Sequence, residues 1–226
     1  MKNILIGKNL TTNADMLLSM PTVAVITGDK LSGKTFFIRK LIERKEDGRT
    51  IVLTNKPDSY HGLGEVFVHL SKENPQIDIS DGLTIVDGCQ LYDDDPENIL
   101  DNEIRTFGEE IKENDLVIVD EAYPYLTDEI NKYELLRTIE EAWKRGATII
   151  ISTNQTQLLL DEAQKLIEMC EYILCMKQSR ETAVHFCETF ASDRGKYELQ
   201  QVYNLMEFGK GLLCRRDGDI SFIEIC

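Results

Sequence analysis

The chain has 226 residues, with 25 Lys and Arg against 40 Asp and Glu and a formal net charge of −15. That length supports a core without disulfide staples, and 42% hydrophobic residues exclude a disordered acidic tail. The charge excludes a surface that grips nucleic acid by itself, because phosphate neutralisation needs clustered Lys and Arg. A small basic patch, or basic residues from a partner, stays compatible with it.

Short apolar runs alternate with helical patterns, which predicts an α/β fold with a mostly parallel sheet. Ile4-Leu5-Ile6-Gly7 reads as a short edge strand. Further strands are expected at Val23–Thr27, Arg49–Thr54, Gly82–Val86, Leu116–Asp120, Ala147–Thr153 and Tyr172–Met176. Most are nearly continuous Val, Ile and Leu, as parallel strands covered on both faces require. Helices are expected at Lys34–Arg44, Pro96–Lys112, Asn131–Arg145, Gln157–Met169 and about Lys196–Met206. In the third of these, Leu135, Leu136, Ile139 and Trp143 recur at helical spacing, and Gly146 fits a C-cap. Near the end, Gly211–Arg216 and Asp219–Ile225 flank Asp217-Gly218, a hairpin-turn dipeptide. No repeat or low-complexity linker interrupts the pattern, so one domain over 1–226 is expected.

Several chemistries are disfavoured. The six cysteines, Cys89, Cys170, Cys175, Cys187, Cys214 and Cys226, form no C-x-x-C pair and read as free thiols of a reducing compartment. The apolar run at the start is too short for a signal peptide, and no stretch approaches the ~20 apolar residues of a membrane span, so a cytoplasmic protein is expected. Residues 91–131 carry fourteen acids against two basic residues. They read as a solvated surface. Asp93-Asp94-Asp95 lacks the Gly and twelfth-position Glu of a calcium loop.

Gly28-Asp29-Lys30-Leu31-Ser32-Gly33-Lys34-Thr35 matches G-x-x-x-x-G-K-[ST] in full, between a predicted strand and a predicted helix. The glycines let consecutive N–H groups point inward as an anion nest, and the helix adds its positive dipole end. Lys34 can reach the β- and γ-phosphates of ATP, and the Thr35 hydroxyl can ligate Mg²⁺. The rival reading is a glycine-containing turn; the strand–loop–helix frame favours the phosphate loop. Asp115–Glu121 is an apolar strand ending in two acids, placed where a parallel sheet binds ligands. Asp120 can hold a water of the Mg²⁺ shell, and Glu121 can deprotonate an attacking water. Its rival is a strand running into an acidic turn. After Ile149–Thr153, Asn154 and Gln155 are candidate γ-phosphate sensors, or simply the opening of the next loop.

These elements, in this order, resemble the FtsK/HerA superfamily of P-loop ATPases, which includes DNA translocases, conjugation motors, viral packaging ATPases and type VII secretion modules. The lead-in Ile6-Gly7-Lys8-Asn9 with Leu17-Leu18-Ser19-Met20-Pro21 is similar to the family's. So are Val119–Tyr123 as a Walker B strand, Ile150–Asn154 as the sensor strand, and Gly209-Lys210-Gly211-Leu212-Leu213 with its hairpin. The resemblance implies a RecA-like P-loop NTPase fold with a mostly parallel central sheet, flanking helices and a C-terminal β-hairpin. It implies a homo-oligomeric ring, a hexamer, that drives DNA or a secreted protein through its pore, with a membrane or capsid protein as partner. Two positions depart from it. Asn154 stands where the sensor Gln is usual, with Gln155 one residue late, and Trp143 stands near the usual arginine, leaving Arg145 or Arg137 for an arginine finger. Such a finger contributes roughly 10³–10⁵ in rate. Tyr60 and His61 are pore-loop candidates because they follow a strand taken as a sheet edge. Two alternatives remain. One is a nucleoside kinase resembling thymidine kinase, which the lack of paired zinc cysteines opposes. The other is a nucleotide-gated binding module without turnover.

Overall fold

The computed structural model describes residues 2–45, 47–63, 66–69, 79–88, 104–127, 129–191 and 206–225. The strands are β1 Lys2–Asn9, β2 Asp15–Met20, β3 Val23–Thr27, β4 Thr50–Thr54, β5 Val66–His69, β6 Leu83–Asp87, β7 Leu116–Val119, β8 Thr148–Thr153, β9 Tyr172–Cys175, β10 Lys210–Arg215 and β11 Ile220–Glu224. The helices are α1 Lys34–Arg44, α2 over 104–110, α3 Tyr123–Thr127, α4 Glu129–Lys144, α5 Thr156–Glu162, α6 Gln164–Met169 and α7 Arg180–Ala191, with a 3-10 turn at Pro57–Tyr60. The chain is α/β with a mixed, mostly parallel sheet and flanking helices. It forms two compact units: Met1–Ser19, Ala24–Arg44 and Ser152–Cys226 make the first, and Met20–Val23 with Lys45–Ile151 the second.

In the first unit the strands run in the order β2-β1-β11-β10-β9-β3. β3 and β9 are parallel, with Thr27 opposite Cys175. The chain then reverses through β10 and β11, an antiparallel hairpin whose turn at Asp217-Gly218 closes with the Gly218 N–H on the Arg215 carbonyl at 3.0 Å. Every residue of β3 and β9 is buried. On α1 the buried residues Lys34, Phe37, Ile38 and Leu41 fall at i, i+3, i+4 and i+7, the stripe of a helix laid on a core. Arg44, in its last turn, donates to the Leu5 carbonyl of β1 at 3.0 Å.

In the second unit β8, β7, β4, β6 and β5 follow one another, all parallel. β4, β6, β7 and β8 are buried at every position, which explains aliphatic runs such as Ile51–Leu53, Leu116–Val119 and Ile149–Ile151. α4 buries Leu135, Leu136, Ile139 and Ala142 and carries ion pairs Lys132–Glu129 and Lys144–Glu140 on its outer turns. Gly146 ends it, its N–H returning to the Trp143 carbonyl at 2.9 Å.

Several sequence expectations are corrected. β1 is an inner strand, not an edge: β2 covers it, and β11 pairs with it on the other side. The covering strand hides in the sequence because Asp15–Met20 buries only alternate residues at its start. Asn9 makes the turn between the two, its side chain accepting from the Thr11 and Thr12 N–H groups at 2.9 Å. The expected helix over Gln157–Met169 is two helices, broken at Ala163. α7 was not expected, although Ser179 accepts the Thr182 N–H at 3.3 Å as an N-cap does, and Ala183, Phe186 and Cys187 behind it are buried. Nor is β4 an edge: it lies between β7 and β6. Residues 96–103, 196–205, Asp93–Asp95, Cys89 and Cys226 lie outside the described residues. Among those described, no helix is long and apolar enough to cross a membrane.

Cys170, Cys175 and Cys187 are buried free thiols. Burial pushes the Cys187 thiol up to about 11 and holds Cys170 and Cys175 well above their ordinary value. The unfolded chain releases these protons from about pH 8.5, whereas the folded chain keeps them. Their contribution to stability is therefore complete below that pH and lost progressively as pH rises, through about 11 for Cys187 and beyond it for Cys170 and Cys175. Urea midpoints are expected to fall steadily between about pH 8.5 and 10.5; a flat profile would contradict this.

Candidate functional site

In the first unit, β3 ends at Thr27 and the chain turns through residues 28–33 before α1 begins at Lys34. Leu31 and Gly33 are left-handed, at φ 63° and 97°, a backbone conformation used in anion nests. Leu31 holds that conformation while 93% exposed, a strain for a bulky side chain that buries nothing in return. The Gly28, Asp29 and Ser32 N–H groups are already used, by Gln178, the Lys177 carbonyl and the Asp29 carbonyl. Those of Lys30, Leu31 and Gly33 have no partner among the described residues and are available to an anion. The Ser32 hydroxyl is buried without a hydrogen bond, a further orphaned donor in the loop. Lys34, only 5% exposed, bends its ammonium back onto the Gly28 and Asp29 carbonyls at 2.7 and 3.0 Å. A lysine ammonium and unspent N–H groups within one loop fit a polyphosphate. Thr35, half-buried, begins the helix beside it.

The sequence gives no hint of what supports this loop. Gln178 lies in the short connection from β9 to α7 and is 3% exposed. With its carboxamide oxygen toward the loop it accepts from the Gly28 N–H at 3.1 Å, and its nitrogen donates to Asp29 Oδ1 at 3.1 Å. Its oxygen also meets Thr156 Oγ1 at 2.8 Å, and that hydroxyl is 2.6 Å from Thr27 Oγ1. Thr156 opens α5, two residues beyond Asn154. Asn154 is half-buried and its carboxamide has no partner among the described residues. Gln155 is exposed, with its N–H on Thr153 Oγ1 at 3.1 Å.

In the second unit, Asp120 and Glu121 follow β7 at its carboxyl end, where the Asp120 N–H still bonds the Leu53 carbonyl of β4 at 2.9 Å. Asp120 is 2% exposed. Its Oδ1 accepts the Glu121 N–H at 3.1 Å, and its Oδ2 accepts the Tyr60 hydroxyl at 2.7 Å. Tyr60 is therefore no surface pore residue: its side chain is fully buried and fixes an acid. His61 next to it is exposed, 3.0 Å from Asp58. Glu121 is left-handed at φ 57°, and its carboxylate meets the Lys56 ammonium at 2.9 Å. A carboxylate on a strained turn, with one lone pair on a movable lysine, can act as a base once that contact opens. Arg145, just past α4, donates to the Gly108 carbonyl of α2 at 2.6 Å, and Arg137 pairs with Glu134 at 2.5 Å. Lys56 and Tyr60 could have been suspected only as polar residues following a strand that ends beside β7.

No family model matches the sequence, and no curated protein matches it. Solved structures do. VirB4 of Thermoanaerobacter pseudethanolicus superposes with a TM-score of 0.76 at 12% identity, over 100% of this chain and 96% of that one. The cytoplasmic domain of the type VII secretion ATPase EccC from Thermomonospora curvata gives 0.65 at 13%, over 99% of this chain; the chain spans 26% of that protein. The genome packaging NTPase B204 from Sulfolobus turreted icosahedral virus 2, solved with sulfate, gives 0.64 at 16%, over 91% of this chain and 97% of that one. At these identities the likeness establishes the fold alone, which this chain shares with those three proteins.

Tyr60→Phe removes one partner of the buried Asp120 carboxylate and is expected to cost about 1–3 kcal/mol. For a chain of this size the Tm falls by about 2–4 °C per kcal/mol. An unchanged Tm would show that the bond contributes nothing.

Proposed function

We propose, from the FtsK/HerA-type fold, that this chain is a single P-loop ATPase domain that binds and hydrolyses ATP to drive a polymer, DNA or a secreted protein. The observation that carries the reading is the loop after β3. It joins two left-handed residues, unspent N–H groups, an orphaned hydroxyl and a buried lysine in the order a triphosphate requires. Residues 28–35, Gly28, Asp29, Lys30, Leu31, Ser32, Gly33, Lys34 and Thr35, hold the phosphates. The Thr35 hydroxyl in the first unit and the Asp120 carboxylate in the second would each serve as a Mg²⁺ ligand, and the ion, when bound, would supply neutralisation of phosphate charge. Tyr60 keeps the Asp120 carboxylate oriented. Glu121 accepts the proton of the attacking water after its carboxylate leaves Lys56. Asn154 or Gln155 senses the γ-phosphate. Arg145 serves a neighbouring subunit as the arginine finger only if it releases the Gly108 carbonyl.

A ring, a hexamer in the leading version, is proposed on the resemblance of the sequence motifs. So are DNA or protein cargo, and a membrane or capsid protein as partner. A cytoplasmic placement, peripheral to such a complex, agrees with the cytoplasmic domain of EccC. The strongly acidic chain leaves direct DNA contact to a few local cations or to that partner. A second reading, nucleotide-gated binding without turnover, is favoured by one observation, the Lys56–Glu121 ion pair that occupies the proposed base.

Lys34→Ala is expected to abolish Mg·ATP binding by calorimetry, whereas Glu121→Gln keeps binding and loses steady-state hydrolysis. Wild-type affinity in the first variant would end the phosphate-loop reading, and persisting turnover in the second would remove Glu121 as base. Light scattering with a non-hydrolysable ATP analogue and the candidate polymer is expected to show a closed oligomer; a monomer under those conditions would contradict the ring.

A further inference from the structure

We infer that Gln178 is the positioning residue that presets the phosphate loop and ties it to the start of α5. The inference rests on the ATP-binding reading of that loop and deepens it. β9 and β3 are parallel neighbours, and the ladder continues beyond their ends. The Met176 N–H bonds the Thr27 carbonyl at 2.8 Å, and the Asp29 N–H bonds the Lys177 carbonyl at 2.9 Å. The chain leaving β9 therefore runs beside the opening of the loop, and the next side chain along it is that of Gln178. Its amide is matched on both sides: the oxygen faces two donors, the Gly28 N–H and the Thr156 hydroxyl, and the nitrogen faces the Asp29 carboxylate. In the opposite orientation its NH₂ would confront the Gly28 N–H, leaving a 3.6 Å contact from the amide nitrogen to Cys175 Sγ.

One buried side chain thus fixes four points: the first peptide of the loop, the side chain of its second residue, the first residue of α5 and, through Thr156, the last residue of β3. A fully matched buried network is rigid, and breaking one member strands the others. Gln178 does not itself point at the unspent N–H groups of Lys30, Leu31 and Gly33. It acts through the loop, sparing ATP the cost of ordering it. Loss of Gln178 therefore weakens nucleotide binding, raising KM more than it lowers kcat.

The test compares wild type, Gln178→Leu and Gln178→Glu by calorimetry with Mg·ATP, with Tm measured alongside. Gln178→Leu is expected to lose about tenfold or more in affinity. Gln178→Glu at pH 8 sets a carboxylate against the Asp29 carboxylate, with the Cys175 thiol and the Lys34 ammonium as the other ionisable groups nearby, and is also expected to bind weakly. Burial and the facing Asp29 carboxylate push the pKa of the introduced carboxyl up, so lowering the pH to about 5.5 favours its protonated form, which again offers one donor and one acceptor, and the deficit relative to wild type shrinks. Folded variants that bind like wild type would overturn the inference. So would a Gln178→Glu deficit that is the same at both pH values, which also decides the matter if Gln178→Leu fails to fold. Wild-type protein that binds neither Mg·ATP nor pyrophosphate would overturn the phosphate-loop reading, and this inference with it.

Discussion

A Cβ placed on Gly28 would lie 2.5 Å from the Ser32 hydroxyl and 3.1 Å from the Met176 Cβ. No larger residue fits there unless the loop opens, and that closeness fixes the path of the chain after β3. Because the backbone must fold back this tightly, Ser32 is buried, Leu31 is forced outward in a left-handed conformation, and α1 starts with Lys34 already under cover. The position of the ammonium follows from the turn. Gly33, itself left-handed, lets the helix begin at once. The loop is then clamped from the side by Lys177 and Gln178, so the nest is a property of the folded first unit.

In the second unit the same logic acts on charge. Asp120 is buried at the end of a strand that is aliphatic at every other position, and a buried carboxylate must be hydrogen-bonded. Tyr60 and the Glu121 N–H supply those bonds. The left-handed turn at Glu121 turns the next carboxylate toward Lys56. The charge of −15 thus divides into two kinds of acid. Most are solvated. Two are held by named partners at the carboxyl end of a parallel strand, where such sheets place their ligands.

What was legible in the sequence is what depends on near neighbours in the chain. The loop motif spans eight residues, and α1 begins and ends at the residues its apolar spacing predicts. β7 and its two acids, and the hairpin at Asp217-Gly218, were readable for the same reason. Gln178 was not, since its partners Gly28 and Asp29 lie some 150 residues away and its own surroundings read as a polar loop. Nothing local in the sequence shows that β4 is an inner strand, and only the strand order puts the Tyr60 hydroxyl beside Asp120. β2 was missed because its short alternation is weak, and the break at Ala163 because nothing local forbids a continuous helix there.

The central claim is that the loop after β3 is built for phosphate, and the most direct measurement is calorimetric titration of the intact chain with ATP and, separately, adenosine, each with Mg²⁺. The account predicts saturable binding of ATP and no measurable heat from adenosine at the same concentrations, because the contacts are made to the phosphates. Equal binding of both, or no binding of ATP, would contradict it.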